Sequence, residues 1–93
     1  MKNSKGNLSL MYELRISAQA RKRLKQISKR RQAAVLSAIR EIKEDPFIGK
    51  PLTRELTGRF SYKLGVFRII YKVNKKDKII EIITVGHRVT VYN

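Results

Sequence analysis

Cysteine is absent from this 93-residue chain, histidine occurs once, and only seven residues are acidic. Without cysteine there can be no disulfide and no thiolate metal site. A single His87 and few carboxylates leave no ligand set for a dedicated metal centre, and no cofactor is implied. Long apolar runs are also missing, and none approaches the ~20 residues that span a bilayer. The first ten residues (MKNSKGNLSL) lack the apolar region of a signal peptide, so a cytoplasmic location and no membrane partner are expected. The length admits one compact domain and excludes a multidomain enzyme.

What the chain does have is basic charge. Lys and Arg number 22 against 7 Asp and Glu, a formal net charge of +15. A hydrophobic content of 42% suffices for a small core. A domain this basic is suited to a polyanion, with RNA or DNA ahead of an anionic membrane surface.

Residues 1–10 are polar and without period, and read as a flexible N-terminal extension ahead of a single domain over 11–93. Residues 11–16 (MYELRI) alternate through Tyr12, Leu14 and Ile16, the pattern of a strand. Ser17 suits a helix N-cap, and Ala20, Leu24 and Ile27 follow at helical spacing. A second helix fits from about Arg30 to Glu44, with a stripe of Val35, Ala38, Ile39 and Ile42. Asp45-Pro46 ends it, and a loop punctuated by Gly49, Pro51 and Gly58 follows. Three strands then close the chain, over 60–64, 67–73 and 78–85. The expected fold is α+β: two N-terminal helices on one face of a small, mostly antiparallel four-stranded sheet, in the order β-α-α-β-β-β.

Gly65-Val66 fits a two-residue hairpin turn with glycine leading. That turn sets Leu64 against Phe67 and Lys63 against Arg68. Phe67, Ile69, Tyr71 and Val73 then face the helices, while Lys63, Arg68 and Lys72 line the other face. Opposed like charges work against folding unless an anion sits between them or both side chains splay into solvent. By the same register Ile70, Ile79, Ile83 and Val85 form an apolar strip on the uncovered face, with Glu81 among them. Such a strip suits a protein partner.

His87, Arg88 and Tyr92 cluster within six residues at the C-terminus. Histidine exchanges protons near neutral pH, arginine clamps a phosphate through two donors, and tyrosine stacks on a base or donates its hydroxyl. Cleavage of RNA needs such roles together: a base for the 2′-hydroxyl, a cation for the phosphorane, an acid for the leaving oxygen. Taken singly, each residue also fits an ordinary surface position. From Leu14 to Arg40 there are nine basic residues and no acidic one. Of these, Arg21, Lys22, Lys25, Lys29, Arg30 and Arg31 are candidates for contact with an RNA or ribosomal phosphate backbone.

Three stretches together resemble the RelE/ParE toxin superfamily, specifically its RelE-like mRNA endonucleases. They are Leu56-Thr57-Gly58, then Tyr62-Lys63-Leu64-Gly65-Val66-Phe67-Arg68-Ile69-Ile70-Tyr71, and finally Val85-Gly86-His87-Arg88 with Val91-Tyr92. The resemblance implies a toxin of a type II toxin–antitoxin pair that cleaves mRNA in the ribosomal A site, leaving a 2′,3′-cyclic phosphate. On that pattern Arg68 and Arg88 stabilise the phosphate, Lys63 is a basic residue of the preceding strand, and Tyr92 holds a base. Ser61 stands where members often carry a second basic residue, which leaves the general base open, with His87 a candidate. The resemblance also implies an acidic, amphipathic antitoxin in a hetero-oligomer, which would cover the apolar strip. Two other readings share the fold or the charge: a ParE-like inhibitor of DNA gyrase, and a basic RNA- or ribosome-binding module.

Overall fold

The computed structural model describes residues 12–53 and 58–87. The 1–10 extension, Arg88 and Tyr92 lie outside the described residues. The elements are β1 (Glu13–Ile16), α1 (Ala18–Lys25), α2 (Lys29–Glu44), β2 (Lys50–Pro51), β3 (Arg59–Leu64), β4 (Phe67–Asn74) and β5 (Ile79–His87).

Both helices begin as the sequence dictates. The Ser17 side chain accepts from the Ala20 amide at 3.0 Å and donates to the Ile83 carbonyl at 2.7 Å, tying the start of α1 to β5. Ser28 caps α2 by accepting from the Arg31 amide. Gln32 donates to the carbonyls of Leu24 and Ile27, satisfying the exposed end of α1. Val35, Ala38, Ile39 and Ile42 are all buried, so the expected stripe is the face that α2 lays on the sheet.

The sheet has five strands rather than four, in the order β1-β5-β4-β3-β2. β1 runs parallel to β5, and the other pairings are antiparallel. The additional strand, β2, is the two residues Lys50 and Pro51, paired with Ser61 and Phe60. Proline is tolerated there because β2 is an edge strand with one side unpaired.

The core lies between the helices and one sheet face. It is built from Ala20, the α2 stripe, Ile69, Tyr71, Ile80, Ile82 and Val85, with Phe60, Tyr62, Leu64, Phe67 and Val73 packed against it. Tyr71 is its largest fully buried side chain. Its hydroxyl donates to the Pro46 carbonyl and accepts from the Gly49 amide, each at 2.9 Å. Burial pushes its pKa up to about 12, against the opposing pull of the Gly49 amide. Gly49 is required by this contact, because a Cβ there would lie 2.7 Å from the Tyr71 hydroxyl and 3.1 Å from the Ser61 carbonyl. The 46–49 loop is thereby held down, and it delivers β2 to the sheet edge.

Two expectations for the outer face are corrected. Val85 belongs to the core, 1% exposed and paired with Ile69. Ile70, on the face away from the helices, is 3% exposed and so forms no open apolar patch. The cause of the first is a bulge in β5. Tyr71 pairs with Ile82 but Ile70 pairs with Thr84, leaving Ile83 as the extra residue. Beyond it the parity of β5 reverses. Ile79 and Ile83 remain partly exposed.

Candidate functional site

The β3–β4 hairpin turns at Gly65-Val66 with Gly65 at φ 63°, the backbone region that a leading glycine supplies without strain. Its register pairs Leu64 with Phe67 and Lys63 with Arg68, as the turn chemistry dictates. Phe67 turns to the helix side, where the Arg31 guanidinium lies 5.2 Å above its ring. Arg31, Ala34, Val35, Leu64, Val66 and Phe67 enclose a cleft of about 230 Å³ there.

On the opposite face Lys63 and Arg68 stand side by side. Lys63 is exposed, whereas Arg68 is partly buried and its Nε is inaccessible to solvent. Gly86 is the partner of Arg68 on β5 and presents no side chain beside the guanidinium. A cation held in a partly desolvated position interacts more strongly with an anion than one in bulk water. An adjacent exposed ammonium adds a second donor group to the same point.

The bulge at Ile83 sets the parity of His87. His87 is exposed and pairs with Phe67, so it takes the helix-side parity, while Lys63 and Arg68 take the other. The structure therefore brings Lys63 and Arg68 together on one face, with His87 at the helix-side parity next to Gly86, the strand partner of Arg68. Arg21, Lys22, Lys25, Lys29, Arg30 and Arg31 are all exposed along α1 and the first turn of α2.

Two further basic residues share the face of Lys63 and Arg68. Arg59 pairs with Lys72, a second like-charged opposition four residues down the same ladder. Continuing the hairpin count from Lys63–Arg68 reaches this pair from sequence alone. Lys50 pairs with Ser61 and joins the same face, but only β2 reveals it.

Tyr62, on the helix side, donates its hydroxyl to Glu41 at 2.7 Å. That bond, with lesser contributions from desolvation and the carboxylate charge, raises the tyrosine pKa. It fastens β3 to α2 and takes no part in the cationic face.

Comparison with known proteins gives a consistent result. A family model described as the ParE toxin of the type II toxin–antitoxin system, parDE, matches residues 14–92. The chain is 35% identical over 83 residues to Toxin RelG of Mycobacterium tuberculosis, covering 87% of this chain and 95% of that protein. The toxin–antitoxin complex RelBE2 of the same organism contains a chain with a TM-score of 0.76 at 35% identity, covering 83% of this chain and 98% of that one. The E. coli RelBE complex shares the fold, with a TM-score of 0.71 at 22% identity over 82% of this chain and 95% of that one. With two helices on a mixed five-stranded sheet, the basic hairpin and a match over most of its length, the chain belongs to the ParE toxin family of type II toxin–antitoxin systems, within the RelE/ParE superfamily.

Proposed function

We propose that this toxin is a ribosome-dependent endoribonuclease that cleaves mRNA in the A site without a metal. The observation that carries the reading is the opposed Lys63–Arg68 pair, two cations on adjacent strands with one partly desolvated. In the proposed reaction the 2′-oxygen attacks the adjacent phosphorus while its proton leaves to a base. The bond to the 5′-oxygen breaks, that oxygen gains a proton, and a 2′,3′-cyclic phosphate remains. The phosphorane carries more negative charge than the ground-state diester. Lys63 and Arg68 therefore bind the transition state more tightly than the substrate. Arg88 is proposed as a further phosphate ligand and Tyr92 as the residue that holds a base. Arg21, Lys22, Lys25, Lys29, Arg30 and Arg31 are proposed to meet ribosomal RNA through its backbone. A cognate acidic antitoxin is the proposed protein partner, in keeping with the complexes that contain the structural neighbours.

A second reading has its own support. The matching family model is that of a ParE toxin, and on this reading the chain inhibits DNA gyrase and cleaves nothing. Two assays on the purified chain separate them. Cleavage of mRNA in a translating extract with gyrase supercoiling unaffected supports the nuclease. Loss of supercoiling with intact mRNA supports the inhibitor.

A further inference from the structure

The outer face of the sheet carries its basic residues in three cross-strand rows. The first is Lys63–Arg68–Gly86, the second Lys50–Ser61–Ile70–Thr84, and the third Arg59–Lys72–Glu81–Arg15. Successive rows are two residues apart, about 6.7 Å along the strands, so the first and third are separated by about 13 Å. Phosphates of an extended single strand follow one another at a step of similar size, and grooves that bind single strands track the backbone with positive charge.

Two directly opposed like-charged pairs on one two-strand ladder oppose folding at both rows. Glu81, Asp77 and the Glu13–Arg15 ion pair at 3.1 Å are the carboxylates near the third row. Glu81 lies between Lys72 and Arg15, and Arg59 stands across Lys72 on the side nearer β2, so the row sets three cations against one carboxylate. Among the described residues no aromatic ring lies on this face, since Phe60, Tyr62, Phe67 and Tyr71 all pack on the helix side.

We propose that Arg59, Lys72 and Lys50 form a phosphate track that leads away from the Lys63–Arg68 pair and holds single-stranded RNA by its backbone alone. The three rows take three consecutive phosphates, the first at the cleavage pair and the second at Lys50, the exposed residue of a row in which Ser61, Ile70 and Thr84 are buried. With no ring among its described residues, the track grips the backbone of any sequence equally, and selectivity for particular codons does not arise from it. The choice of RNA as occupant rests on the nuclease reading, whereas the track itself is measured by binding.

The test uses the full chain and single-stranded 2′-deoxy oligonucleotides, which lack the attacking hydroxyl and so report binding independently of cleavage. The salt dependence of affinity is compared for the unaltered protein and for the Arg59→Gln/Lys72→Gln double variant. For an octanucleotide the logarithmic salt slope is expected to fall by about 1.4, two contacts at about 0.7 each. For a dinucleotide, too short to reach the third row, the slope is expected to be unchanged. The melting temperature without nucleic acid is expected to hold or rise as the opposition is relieved. An unchanged octanucleotide slope, or an equal fall for both lengths, overturns the track. So does a loss of affinity confined to an acidic protein partner, or a lowered melting temperature. If the slopes change as expected and no mRNA is cleaved, the track stands and the nuclease reading falls.

Discussion

Lys63 and Arg68 face each other directly across the β3–β4 hairpin, two positive charges where a stable hairpin would place opposite ones. Cross-strand like-charge pairs lower stability. Replacing Lys63 with glutamine is therefore expected to raise unfolding free energy by about 0.2–1 kcal/mol while weakening RNA binding. Urea unfolding at low and high salt checks this, and the gain should shrink as salt screens the repulsion.

His87 sits across from Phe67, on the other parity from Arg68. His87→Ala is expected to leave mRNA cleavage within a few fold of the unaltered chain. Cleavage slowed by about 10²-fold or more in folded His87→Ala would show instead that His87 takes part in the proton transfers.

The Tyr71 hydroxyl satisfies the Gly49 amide and the Pro46 carbonyl in the core. Tyr71→Phe strands both groups and is expected to cost about 1–3 kcal/mol. The raised pKa of Tyr71 also sets an alkaline limit. The folded state holds this proton more tightly than the unfolded chain, whose tyrosine titrates near 10. The associated stability is complete below pH 10 and is lost as pH rises through about 12. Phenolate absorbance recorded alongside circular dichroism should show a late-titrating tyrosine whose ionisation coincides with unfolding, a phase missing in Tyr71→Phe.

Gly65 holds φ 63° at the hairpin tip, and a Cβ there would meet nothing within 4 Å. The cost of Gly65→Ala is therefore backbone strain without a clash, about 1–2 kcal/mol. Gly65→Asn should cost less, since asparagine tolerates that conformation. Denaturant midpoints with unchanged slope check the order.

Much of this fold is legible in the sequence because local chemistry and periodicity agree. Ser17 caps α1, the Val35–Ala38–Ile39–Ile42 stripe is the buried face of α2, and Gly65-Val66 fixes the register that pairs Lys63 with Arg68. Two features escape that reading for physical reasons. β2 is two exposed residues, one of them proline, too short to show a period. The bulge at Ile83 falls in a run where Ile79, Ile80, Ile82, Ile83 and Val85 are apolar at both parities, so a reversal of face leaves no mark in the pattern. That single bulge moves Val85 into the core and sets His87 at the helix-side parity. Ile70 misleads for another reason, because position on the outer face does not make it exposed.

The most direct test of the account is to map the new 5′ and 3′ ends of mRNA in a translating extract supplied with the unaltered chain or with Arg68→Ala. Circular dichroism confirms that the variant is folded. The account predicts codon-phased cuts ending in 2′,3′-cyclic phosphate for the unaltered chain, and a rate lower by about 10²–10³ for Arg68→Ala, the loss typical of one transition-state donor. Cleavage by folded Arg68→Ala at the unaltered rate, or an absence of cuts with the unaltered chain, would contradict it.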